Sequence, residues 1–297
     1  MNAHASENET DRETEGTDVA FTFVQALAAE LSGGKVELPG FPHIVMQVQR
    51  VLADETADAS RIIRVIGSEP VLAAQLVRMA NSAALNPSRT PITDLKAAVA
   101  RVGLDTVRSA TIAFAVQQLR EAPALRGLEK QLGVLWRNSV QVAALSYSVA
   151  RRLTTVSGDT AMLAGLLQGI GRLYILTRAS RHRSLFADLL TYQTIEHDWH
   201  LSIAAALLEN WGIADEIVQA VHESENVDRE SRGPAGLADV LVVATVLAES
   251  SGGDLAVLQA QTQCSKPLQR MRLDCEACEG FLMESAEEIA ALRDALG

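Results

Sequence analysis

The chain has 297 residues, 48% of them hydrophobic, which is enough for a sizeable core in one large domain or two packed subdomains. Its formal net charge is −11, and an acidic body argues against broad nucleic-acid binding, which relies on clustered Lys and Arg to neutralise phosphates. No apolar run is read as a membrane span and no signal peptide opens the chain. The three cysteines, Cys264, Cys275 and Cys278, read as free thiols in a reducing cytoplasm.

Residues 1–17 are acidic and free of large apolar groups, so the sequence predicts a disordered tail. Phe23, Ala26, Leu27 and Leu31 then mark a helix over 18–34 that Ser32-Gly33-Gly34 stops. After the proline-bearing linker Leu38-Pro39-Gly40-Phe41-Pro42, almost every segment reads as helix. Ile44, Val45, Val48, Val51 and Leu52 share one face. Asp58 or Ser60 caps the next helix, and Pro70 opens a third, which Asn81-Ser82 and Asn86-Pro87-Ser88 end. Asp94 caps Leu95–Val102, and Asp105 caps a longer helix with Val107, Ile112, Phe114 and Val116.

Pro123 and Gly127 mark a subdomain boundary before a helix through Leu135, Val142, Leu145 and Leu153. Asp159 is the expected cap of a helix running to about Leu176. Further helices are expected at 183–194, 198–210, 214–223, 235–250, 254–263 and 284–295. The fold class is therefore all-α. The expected division is a tail (1–17), an N-terminal helix (18–34), an N-terminal helical bundle (35–122), a second bundle (123–250) and a helical extension (251–297).

The helix from Asp159 carries Leu163, Leu166, Leu167 and Ile170 at i, i+3, i+4 and i+7, with Gly165, Gly169 and Gly171 among them. An interior glycine costs a helix about 1 kcal/mol relative to alanine, so three ask for close packing or a site. His197 and His200 sit at i, i+3 and could share a ligand, but the favoured reading is of ordinary histidines hydrogen-bonded into helix packing. Arg172, Arg178, Arg181 and Arg183, with His182, form the densest basic group and are candidates for anion or partner contact. Cys275-Glu-Ala-Cys278 lacks the further ligands that zinc needs. No phosphate-binding glycine loop or nucleophile elbow is present.

Several stretches together resemble the HDOD family, the HD-related output domain of bacterial signalling proteins. They are Leu38-Pro39-Gly40-Phe41-Pro42, Glu69-Pro70 through Ala80-Asn81-Ser82, Pro91-Ile92-Thr93-Asp94-Leu95, and Val102-Gly103-Leu104. Leu135-Trp136-Arg137-Asn138-Ser139, Gly165 to Gly171, and Leu207 to Ile213 continue the match over about 35–235. The resemblance implies two packed helical parts, the second related to HD phosphohydrolases. It places the vestigial metal-ligand positions at Asn138, Gln168, Gly169, His200 and His222.

In catalytic HD proteins a His-Asp pair stands where this chain has Gln168-Gly169. An amide is a poor transition-metal ligand and glycine offers none. The resemblance thus implies a chain without enzymatic activity, metal or cofactor, acting in the bacterial cytoplasm through protein partners in a motility, chemotaxis or cyclic-dinucleotide circuit. Neither nucleic acid nor membrane is expected as a partner. Two alternatives are a divergent metal-dependent phosphohydrolase acting on a nucleotide, and a nucleotide sensor whose remnant pocket binds a cyclic dinucleotide. With His200 and His222 as the surviving imidazoles, Glu196 and Asp239 are the distant carboxylate candidates.

Overall fold

The computed structural model describes residues 19–34, 36, 38, 47–48, 50–52, 54, 59–86, 90–120, 125–182, 185–186, 188–250 and 255–296. Expectations for the tail 1–17, Pro39–Pro42, Ile44 and Val45, Asp58, Pro87 and Ser88, Pro123 and Arg183 fall outside these residues. Every regular element among the described residues is helical. The first half holds α1 (Val19–Ser32), α2 (Ala59–Gly67), α3 (Pro70–Ala80) and α4 (Leu95–Arg120). Then come α5 (Glu129–Leu153), α6 (Gly158–Leu167), α7 (Ile170–Ala179), α8 (Leu189–Asn210) and α9 (Asp215–His222). The chain closes with α10 (Leu237–Ser250), α11 (Leu255–Cys264), α12 (Lys266–Arg270) and α13 (Cys275–Leu296).

Local chemistry explains most boundaries. Pro70 occupies the first turn of α3, where its missing N–H costs nothing. Asn81 ends that helix by pairing its side-chain amide with the backbone of Ile92. It accepts from Ile92 N at 2.9 Å and donates to Ile92 O at 2.7 Å, which fastens the α3 end to the approach to α4. Asp94 caps α4 by accepting from Ala97 N at 2.8 Å. α4 consists of the two helices expected on either side of Gly103, which meet at a kink where Gly103 leaves helical geometry at φ 80°. Only glycine adopts that backbone without strain.

Three boundaries differ from expectation. Ser157, not Asp159, caps α6, its hydroxyl accepting from Thr160 N at 3.3 Å. Asp159 instead accepts from Thr106 Oγ1 of α4 at 2.8 Å and so ties the two halves together. Residues 189–210 form one helix where two were expected, since no Gly or Pro interrupts Ile195-Glu196-His197-Asp198. The last helix begins at Cys275, well before 284.

The centre of the molecule is α5, buried without a break from Val142 to Ala150, with α6, α10 and α13 packed around it. The N-terminal helix crosses to the second half. Phe23 meets the His182 ring edge-on at 5.7 Å, and Glu30 pairs with Arg178 of α7 at 3.0 Å. The C-terminal helix touches both halves, lying on α5 and α3, with Gln75 Nε2 donating to Leu296 O at 3.2 Å.

The segment Gly158–Ala179, which contains α6 and α7, corrects one reading of the sequence. By length and mean hydropathy (1.2) it is apolar enough to cross a membrane, yet 89% of that window is buried inside the fold. Its apolar surface is taken up by the protein's own core.

The glycines of this segment explain the burial. A Cβ on Gly165 would lie 2.7 Å from Ala143 Cα of α5, and one on Gly171 would lie 1.9 Å from the His200 carbonyl oxygen of α8. Backbone therefore meets backbone on two sides of the α6–α7 segment. Close packing is the reason for both glycines.

Candidate functional site

The Gly171 contact brings the start of α7 against the middle of α8, and the next residue, Arg172, is the centre of a charged cluster. Its Nη1 donates to Glu196 Oε2 at 3.1 Å and its Nη2 to Glu225 Oε1 at 2.6 Å. The same Nη2 lies 3.2 Å from His200 Nε2, which is in turn 3.3 Å from Glu225 Oε2. Glu196 and His200 stand one turn apart on α8, while Glu225 comes from the turn after α9. One guanidinium thus joins three elements. The His200 ring has no solvent exposure, and its Nδ1 has no hydrogen-bond partner.

Burial pushes the Glu225 carboxyl up, but hydrogen bonds and charge from His200 and Arg172 more than reverse this, and it titrates at about 2. Nearby, Glu249 is pushed above the usual range by burial and then by the charge of Glu225, with Arg172 opposing. Burial, followed by the Glu196 charge and hydrogen bond, also raises the Tyr192 phenol strongly.

A pH dependence follows from Glu225. Its folded value lies below the unfolded carboxylate range, so its contribution is complete above about pH 4.5 and is lost as pH falls toward 2. The size is on the order of 3 kcal/mol at most. Urea denaturation across this window should show a steep loss for the wild type and a shallower one for Glu225→Gln. Equal slopes would remove Glu225 from the ledger.

The five vestigial positions differ in burial and in what they touch. Gln168 is buried in the turn between α6 and α7, with Gly169 beside it. A Cβ on Gly169 would lie 2.6 Å from Ser139 Oγ of α5, so that hydroxyl would have to rotate away to admit one. Asn138 is exposed on α5, and His222 is exposed at the end of α9. His200 alone joins a cluster of ionisable groups. The hollow beside Gly169 is lined by Leu132, Leu135, Trp136, Leu166, Ile170 and Leu173, with Ser139 its one hydroxyl.

The metal-ligand set of an HD phosphohydrolase does not fit these residues. His197, His200 and Glu225 do place one donor atom each within 4.8 Å of one another, but Arg172 is hydrogen-bonded to two of the three. The carboxylate candidate Asp239 lies elsewhere. Fully buried, it accepts from Arg229 Nη1 at 3.0 Å and Gly236 N at 2.9 Å, and also pairs with Arg270. That network pins the loop after α9 to α10 and α12.

The basic group is divided in the same way. Arg172 sits in the cluster just described, and Arg178 is paired with Glu30 and stacked over the Tyr174 ring at 5.1 Å. Tyr174 also donates to Glu30, and burial followed by that bond pushes its phenol up to about 12. Arg181 is exposed. The three described arginines do not form one anion-binding face.

Glu225 was missed from the sequence. It stands three residues beyond His222, in a polar run, His222-Glu-Ser-Glu225, that reads as an ordinary solvated turn. The only local signal was a second acid just past a histidine.

Comparison with known proteins places this geometry. The model of the HDOD domain matches residues 38–227. An uncharacterized protein of Treponema pallidum (strain Nichols) is 22% identical over 217 residues, 68% of this chain and 40% of its own length. The chain therefore spans well under half of the curated relative it matches. Among solved structures, an HDOD domain protein of unknown function from Geobacter sulfurreducens aligns with TM-score 0.62 and 22% identity, over 92% of this chain and 97% of its own. A candidate metal-dependent phosphohydrolase from Shewanella amazonensis SB2B aligns with TM-score 0.76 and 20% identity, over 94% and 100%. A candidate signal transduction protein from Marinobacter aquaeolei VT8 aligns with TM-score 0.59 and 20% identity, over 95% and 66%. At these identities the likeness is one of fold. With the family match covering more than half of its length, the chain belongs to the HDOD domain family.

Proposed function

We propose that this chain is a non-catalytic signalling adaptor, acting in the cytoplasm by binding other proteins through its helical surfaces. The observation that carries the reading is the place of Arg172, whose guanidinium takes up Glu225 and Glu196 and lies against His200, while Gly169 supplies no ligand. Hydrolysis by metal-activated water needs open coordination positions around the ion. A guanidinium bound to the donor atoms offers none.

The hollow beside Gly169 also suits a nucleotide poorly. It is apolar, and no cation lines it to meet a phosphate. Recognition falls to the outer surface, where Leu189 and Leu190 are 58% and 74% exposed at the start of α8. Exposed apolar groups of this kind suit a partner that brings an apolar anchor.

Two assays test the reading together. Purified protein with manganese or iron should turn over neither cyclic dinucleotides nor nucleotide monoesters. Affinity capture from the native cell should recover one stoichiometric signalling protein, lost on Leu189→Asp/Leu190→Asp and retained on Gln168→Ala. Metal-dependent turnover abolished by His200→Ala would establish the phosphohydrolase alternative instead.

A further inference from the structure

We propose that Arg172 is a built-in counter-cation occupying a latent transition-metal site formed by His197, His200 and Glu225, and that its removal converts the cluster into a site for one divalent ion. The inference rests on the non-catalytic reading of the centre and asks what holds that centre together in place of a metal.

The donor set is of the right chemistry. Two imidazoles and a carboxylate are common ligands for zinc and cobalt, and Glu196 is a fourth oxygen donor on the same helix as the histidines. The three donor atoms already lie within 4.8 Å of one another. Ligands at about 2.1 Å in a tetrahedron are about 3.4 Å apart, so the donors would have to draw in by up to about 1.4 Å.

His200 anchors the set from a fully buried position with its Nε2 turned to Arg172 and Glu225, while Glu225 is half-buried and His197 exposed. The carboxylates are in excess. Glu196 and Glu225 both pair with Arg172, and Glu249 stands near enough to feel the repulsion of Glu225. A cluster of this sign and composition calls for a cation. Arg172 supplies it from within the chain, in fixed geometry and with one charge where a metal ion would bring two.

Arg172 also excludes the metal. Its Nη2 is bound to Glu225 at 2.6 Å and lies 3.2 Å from His200 Nε2, so it takes up a carboxylate oxygen and stands where an ion would have to enter. Its own charge repels an incoming ion. In this account the three elements that meet at the cluster are joined without metal, and chelators leave the protein unchanged.

The test is a Co²⁺ titration, followed by visible absorption, of wild type, Arg172→Ala, Arg172→Gln and the double variant Arg172→Ala/His200→Ala. The expected result is one Co²⁺ per chain in each single variant, bound at least about tenfold more tightly than in wild type, and loss of the signal in the double variant. If a variant does not fold alone, refolding with Co²⁺ gives the same test, and failure to recover helical signal counts against the proposal. Single variants that bind no better than wild type, or a double variant that binds equally well, overturn it. Those results leave the non-catalytic reading standing, whereas tight stoichiometric Co²⁺ binding by wild type overturns both.

Discussion

Gly171→Ala is expected to destabilise the chain by about 3 kcal/mol or more, toward the upper end for overpacking a close contact. The added methyl would lie 1.9 Å from the His200 carbonyl oxygen, 2.8 Å from its carbonyl carbon and 3.1 Å from Ala204 N. All three are backbone atoms of α8, so no rotamer change relieves the clash and the two helices must separate. That separation also draws Arg172 away from Glu196 and His200. A urea titration followed by circular dichroism reads the loss as a lower midpoint. Gly280→Ala is the control, because nothing lies within 4 Å of a Cβ there. A Gly171→Ala midpoint equal to wild type would mean that the α7–α8 contact is looser than described.

Arg172→Ala is expected to cost about 2–4 kcal/mol, because it strands partly buried carboxylates that were paired. Glu196 and Glu225 are 18% and 25% exposed at their side chains, so desolvation is substantial while water still screens part of the repulsion. The pH response should change with it. Without the guanidinium, Glu225 loses one of the two partners that hold its carboxyl low, and the variant should lose less stability than wild type on acidification from about pH 4.5 to 2. Arg172→Lys keeps the charge but not the fork that reaches two carboxylates, and should recover part of the loss. Full retention of stability in Arg172→Ala would show that the cluster is decorative.

The fold was legible because its signals are local and repeated. Apolar periodicity marks the helices, Pro70 and Asp94 start two of them, and Gly103 places the bend in α4. The glycines at 165 and 171 announced close packing before any partner was known. What they approach, Ala143 and His200, is a tertiary fact with no local trace.

Errors arose where a side chain had two uses. Asp159 looks like a cap, but Thr106 from another helix claims it, and Ser157 takes the capping role. Arg172 and Arg178 look like members of one basic patch because they are near in sequence. Each is claimed by acids from distant segments, Glu225 in one case and Glu30 in the other. Sequence proximity gives local charge density but not which face of a helix each charge occupies. The candidate site was legible only in part for the same reason. Gln168-Gly169 is visible as a departure from the His-Asp pair of catalytic HD proteins, whereas Glu225 and the central place of Arg172 emerge only when α7, α8 and the turn after α9 come together.

The central claim is that this HDOD chain keeps an HD-like architecture while an arginine stands where metal chemistry would be. Elemental analysis of protein purified from its native cell without chelators tests it most directly. The account predicts iron, manganese and zinc far below one equivalent per chain, unchanged in His200→Ala. One or two equivalents of any of them, lost in His200→Ala, would contradict it.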